Sequence, residues 1–131
     1  MKIDRIKVYE KYHAHCAYCG EFIKMKDMQV DHIIPQNEFI IYIKNNFRVP
    51  VFLQHLTVND LNHIDNLNPS CRVCNKWKST FDLELFRSEL QAQVERLNLR
   101  SANYRMAKKY QLIQENIIPI KFHFETINTI K

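Results

Sequence analysis

Glycine is almost missing: Gly20 is the only one in 131 residues. That scarcity argues against a flexible linker and against a glycine-rich loop that would cradle phosphate with its backbone. Long apolar runs are missing too. The longest, Phe39-Ile40-Ile41-Tyr42-Ile43, falls far short of the ~20 residues a membrane-spanning helix needs. The opening Met1-Lys2-Ile3-Asp4-Arg5-Ile6-Lys7 puts charges where a secretory signal would carry its apolar stretch. The expected location is therefore cytoplasmic, where thiols stay reduced. The chain also lacks internal repeats, low-complexity tracts and charge blocks, so residues 1–131 read as a single domain.

What is present suffices for a modest core. Hydrophobic residues make up 46% of the chain and aromatics 11%, although a domain this small gains from a staple. Nineteen Lys and Arg oppose fourteen Asp and Glu, a net charge of +5. A basic soluble domain favours an acidic partner, most commonly nucleic acid. The signal is weak alone, and a four-thiolate zinc site would reduce the net charge to about +3.

Short elements are expected throughout. Val8–Tyr12 predicts a helix, and Met28, Val30 and Ile33 fit a strand or two stopped by Pro35. Phe39–Ile43 fits helix or strand, and Val51–Leu56 a helical turn or two, with Thr57 as a cap for the following turn through Leu61. A helix should start near Cys71. Leu83, Phe86, Leu90, Val94 and Leu97 define a second helix at three- and four-residue spacing, as core or dimer face. Another helix is expected over Tyr104–Ile113, then a late strand over Pro119–Phe124 on the alternation of Ile120, Phe122 and Phe124 with Lys121 and His123.

The cysteines carry the first chemical signal. Cys16 and Cys19 form one C-x2-C pair, Cys71 and Cys74 another, with 51 residues between the pairs. Two such pairs supply the four soft ligands of a closed, structural Zn²⁺ site and leave no stray thiol. Two redox pairs or buried free cysteines are the plainer alternatives. His13 and His15 precede Cys16 but read as solvated or packing residues when four cysteines are at hand.

The second signal is Asp31-His32-Ile33-Ile34-Pro35, then Asn66-Leu67-Asn68-Pro69-Ser70, then Cys71-Arg72-Val73-Cys74-Asn75-Lys76-Trp77-Lys78. In type and order these segments resemble the HNH, or ββα-metal, endonuclease family in its four-cysteine form. The resemblance covers residues 16–78, about half the chain. It implies an α+β fold with a ββα-metal core, a short β-hairpin plus helix stapled by a four-cysteine zinc site, with added helices and the late strand. It implies that His32 is the general base, that Asp31 and Asn75 hold one catalytic divalent cation, Mg²⁺ or Mn²⁺, and that Asn66 braces the loop and orients the His32 ring. Asn75 stands where the family name has its final His, and an amide oxygen suits a hard cation.

The chemistry asks for these residue types in its own right. Hydrolysis of a phosphodiester needs water made nucleophilic, charge neutralised at phosphate, and help for the leaving oxygen. Imidazoles ordinarily titrate near ~6.5 and so accept a proton at physiological pH. A neighbouring carboxylate anchors the neutralising cation. Adjacent strand residues face opposite ways, so Asp31 and His32 can serve one phosphate only if the chain turns there, as Pro35 suggests. Arg72, Lys76 and Lys78 are candidate nucleic-acid contacts on the helix after the cysteines, or else a solvated face; Trp77 between them reads as core. His63, without an adjoining carboxylate before it or the following I-x-P, reads as structural or phosphate-contacting. His55 and His123 have no informative context.

His32 and Asn66 lie 34 positions apart, which makes residues 39–61 an insertion and 79–131 a helical extension of undetermined role. The expected activity is metal-dependent hydrolysis of DNA, with RNA substrates and a homodimer left open. A zinc-stapled nucleic-acid-binding module without catalysis is the main rival. It keeps the charge and the cysteines but does not explain why Asp31, His32 and Asn75 occur together. A protein-interaction zinc domain is a third reading.

Overall fold

The computed structural model describes residues 2–128. Helix α1 (Arg5–Glu10) starts at Asp4, whose carboxylate accepts the Ile6 and Lys7 N–H groups, the bonds expected of an N-cap. Left-handed residues His13 and Ala14 then turn the chain into the first cysteine pair. An isolated antiparallel bridge between His15 and Phe22 closes this knuckle. Gly20 sits in it at φ +80°, and a Cβ there would lie 3.0 Å from His123 Nδ1. The one glycine is thus placed where both backbone and space require it.

Strand β1 (Gln29–His32) pairs antiparallel with β2 (Leu67–Ser70), setting Asp31 opposite Asn68 and His32 opposite Leu67. The α+β expectation is met by this two-stranded antiparallel sheet, but a long excursion rather than a short turn joins its strands. That excursion opens with helix α2 (Phe39–Asn45), which resolves the ambiguous apolar run as helix. Phe39 and Tyr42 are buried, whereas Ile40 and Ile41 face solvent, a helical rather than a strand-like alternation. A 3-10 turn follows at Val51–Leu53. Thr57 caps no helix; its N–H and hydroxyl instead donate to Asp60, closing a turn.

Helix α3 (Arg72–Lys78) begins at Cys71, whose sulfur accepts the Cys74 N–H. The sequence Leu83–Leu97 is two helices rather than one. Helix α4 (Leu83–Gln91) stops at Ala92, and α5 (Gln93–Arg100) restarts there. Leu83 and Phe86 are core, Leu90 packs against it, and Leu97 is exposed, so the apolar stripe buries only its first half. Helix α6 (Ala102–Lys109) is capped by Ser101 Oγ. Glu115 ties α5 and α6 together, accepting from Asn98 and Tyr104 and pairing with Lys108.

The late strand is not formed. Residues 117–122 form no regular element, and α4 side chains take up backbone groups of Ile118 and Ile120. Gln91 Nε2 donates to Ile118 O, Gln91 Oε1 accepts the Ile120 N–H, and Arg87 Nη1 donates to Ile120 O. Glu125 then accepts the Phe122 N–H and helix α7 (His123–Asn128) begins. The alternation in the sequence reflects burial of Phe122 and Phe124 against Tyr18 and Phe86, not strand pairing. Among the described residues no helix is long and apolar enough to cross a membrane.

Candidate metal centre and active-site cleft

The knuckle and the start of α3 bring Cys16, Cys19, Cys71 and Cys74 together, their Sγ atoms all within 4.8 Å of one another. Cys19 and Cys71 sulfurs are 3.9 Å apart. A tetrahedron built on metal–sulfur bonds of ~2.3 Å has edges of about 3.8 Å, so the cluster suits a zinc ion. Packing the thiols this closely splits their proton affinities. A hydrogen bond with Cys74 holds Cys16 down to about 4. Burial pushes Cys19 up to about 12, and the bond with Cys16 pushes Cys74 up as well. A divalent cation relieves that conflict by replacing the shared protons. His13 and His15 stay out of the cluster, with His15 Nδ1 2.8 Å from His13 O.

The second centre is a cleft of about 200 Å³ between β1 and the C-terminal end of α3, lined by Asp31, His32, Pro35, Asn75, Ser79 and Thr80 among others. Strand β1 ends at His32 and the chain bends at Ile33–Ile34, supplying the turn that lets neighbouring residues border one space. Asn75 reaches it by helical phase, from the inner face of α3.

His32 is half-buried, and its Nε2 lies 2.8 Å from Asn62 Oδ1. An amide oxygen only accepts, so Nε2 carries the proton and Nδ1 keeps the lone pair. Asn66 is fully buried. Its Oδ1 accepts the Ile34 N–H, its Nδ2 donates to Leu61 O, and its carbonyl accepts the Ile33 N–H. These bonds brace the loop after His32. The partner on the His32 ring, however, is Asn62.

Asp31 is 5% exposed and densely held. Tyr18 donates its O–H to Oδ2, and Lys78 Nζ lies 3.1 Å from Oδ1 and 3.0 Å from His32 O. Burial raises the Asp31 carboxyl, with the Lys78 charge and the Tyr18 bond opposing it. The expectation that Lys78 grips phosphate fails, because the side chain is fully buried. The reason is helical phase: Lys78 follows Asn75 by three and shares its inward face, whereas Arg72 and Lys76, four apart, share the outward one. Trp77, expected in the core, is 50% exposed beside Val73 on another outer stripe. Arg72 and Lys76 are exposed.

Tyr18, Asn62 and Asn68 also join the site, Tyr18 and Asn62 without a signal of their own in the sequence. Tyr18 hides inside the first C-x2-C pair. Asn68 donates to its hydroxyl and accepts from Lys11 Nζ, which also bonds Ile64 O and Leu67 O. Burial lowers that Lys11 amine to about 8 against the pull of Asp65. Only the alternation of β2 points to Asn68.

Compared with known proteins, the chain matches no family model, no curated protein and no solved structure.

Proposed function

We propose that this protein is a zinc-stapled, metal-dependent endonuclease that hydrolyses DNA phosphodiester bonds, with the ββα-metal architecture of the HNH family it resembles. The observation that carries the reading is that the adjacent pair Asp31 and His32 and the distant Asn75 border one cleft. The order β1, β2, α3, with the cysteine cluster beside it, supports the same reading.

His32 takes a proton from water at Nδ1, the ring nitrogen left free by Asn62. Asn62 fixes the ring plane, and Asn66 fixes the loop on which both depend. Asp31 and Asn75 are the residues that would hold a hard divalent cation. Two of the roughly four lone-pair sites of the carboxylate are taken by Tyr18 and Lys78, and the amide of Asn75 adds another oxygen. When bound, such a cation supplies neutralisation of phosphate charge and support for the leaving oxygen. Lys78 already offsets the charge of Asp31, so cation affinity should be low, with millimolar Mg²⁺ needed. Arg72 and Lys76 contact backbone phosphate from the outer face of α3. The same Asp31–Lys78 pair favours the rival reading, a binding module without catalysis.

The experiment is plasmid nicking in Mg²⁺ or Mn²⁺ by parent and His32→Ala protein, both matched for zinc content and circular dichroism. Loss of nicking in the variant with fold and zinc retained is expected. Full activity in the variant would refute the assignment of the base, and DNA retention without nicking by the parent would select the binding module.

A further inference from the structure

A second group of metal-ligating side chains lies away from both centres, on the excursion between β1 and β2. His55, His63 and Asp65 present ligand atoms all within 4.8 Å of one another. His55 follows the 3-10 turn at Val51–Leu53, whereas His63 and Asp65 flank the start of a second 3-10 turn at Ile64–Asn66. His55 Nε2 is 2.9 Å and His63 Nδ1 3.8 Å from the same Asp65 Oδ2. A tetrahedral ion with bonds of about 2.1 Å to nitrogen and oxygen needs ligand separations of ~3.4 Å, between these two values. The rings are 5.7 Å apart and nearly perpendicular, so both can aim nitrogens at one point. Nδ1 of His63 accepts the Asp65 N–H and therefore bears the lone pair a metal requires.

From this geometry we infer a binding site for a first-row divalent cation, Zn²⁺ above all, made by His55, His63 and Asp65. Two imidazoles and a carboxylate are borderline donors that prefer such ions to Mg²⁺. Binding exchanges the Asp65 N–H bond to His63 and the His55–Asp65 hydrogen bond for metal bonds, and the proton on His55 Nε2 moves to Nδ1 through water so that Nε2 can donate its lone pair. Three protein ligands leave a further position for water, so the ion exchanges readily, unlike one closed in by four thiolates. The preformed trio joins two segments of the excursion whose neighbours Leu53 and Leu56 are buried. An ion there clamps the turn that carries Asn62 and Asn66. The inference stands apart from the nuclease reading, since it uses none of the cleft residues.

The test is titration of the full zinc-loaded chain with Zn²⁺ against a metallochromic indicator, on parent, His55→Ala, Asp65→Asn and His32→Ala proteins. His55 and Asp65 are surface-exposed enough that these changes leave the fold intact, which circular dichroism checks. The parent should take up one exchangeable equivalent beyond the cysteine-bound ion. His55→Ala and Asp65→Asn should lose it, and His32→Ala should keep it. No additional equivalent in the parent, or its retention in both His55→Ala and Asp65→Asn, overturns the inference. Its loss in His32→Ala alone would do so as well, placing the ion in the cleft.

Discussion

Replacing Lys78 by Met tests the buried network under the cleft most directly. The ammonium is fully enclosed and donates to Asp31 Oδ1 at 3.1 Å and His32 O at 3.0 Å. Met retains much of the volume but leaves Asp31 without its opposing charge and the His32 carbonyl without a donor. Removing one partner of a buried ion pair costs about 3–5 kcal/mol. Tyr18 still bonds Asp31, which places the expected loss near the lower figure, about 3 kcal/mol at about pH 8. In thermal terms that is about 10 °C for a domain of this size. The pH dependence gives a sharper check. Burial already raises the Asp31 carboxyl in the parent, and without Lys78 it rises further. A raised acid contributes stability below its unfolded value, and that contribution is lost as pH rises through the folded one. The variant should therefore recover part of the deficit as pH falls from about 8 to about 5.5. Urea unfolding at both pH values, with zinc held constant and no added Mg²⁺, measures this. The double variant Asp31→Asn, Lys78→Met should be less destabilised than Lys78→Met alone. A deficit below about 1 kcal/mol at the higher pH, or one that grows on acidification, would refute the reasoning.

Three further outcomes are expected elsewhere in the molecule. Stripping metal with a strong chelator, or changing Cys71 to Ser, should abolish the cooperative unfolding transition, because structural zinc in small domains contributes on the order of 10 kcal/mol; differential scanning calorimetry that still shows the transition would count against the zinc staple. Asp82→Ala removes the cap of α4 and the acceptor for Arg48 and Tyr42, at a cost of about 2 kcal/mol after allowing for the partly exposed Arg48. Burial works to raise Asp82, but Arg48, the Leu85 N–H and Tyr42 outweigh it and hold the carboxyl low. Its stabilisation is thus present above the ordinary carboxylate range and lost as pH falls through the folded value, so the variant should match the parent only in strong acid, as chemical unfolding across pH would report. Arg72→Ala and Lys76→Ala should each weaken DNA binding and lower its salt dependence by about one unit of slope, measured by fluorescence anisotropy; an unchanged slope would take these side chains off the DNA.

The cysteine cluster, strand β1 and the helix after Cys71 are legible in the sequence because local spacing carries them, whereas the pairing of β1 with Leu67–Ser70 is not. Two C-x2-C pairs have one obvious joint use, and Asp31, His32 and Asn75 are picked out by their neighbours in the chain. The absence of a strand before His123 is not legible, since it depends on partners distant in sequence. Arg87 and Gln91 take the backbone groups that a neighbouring strand would otherwise have used.

Residue types and spacings by themselves thus marked which side chains were candidates for chemistry and which four sulfurs belong together. Tertiary structure alone decided how those side chains are charged and held. It turned Lys78 inward to neutralise Asp31, put Asn62 on the His32 ring, and gathered His55, His63 and Asp65. The physical reason is that hydrogen bonds and ion pairs act over about 3 Å, whereas sequence separation says nothing about such distances once a chain of 34 residues leaves one strand and returns beside it.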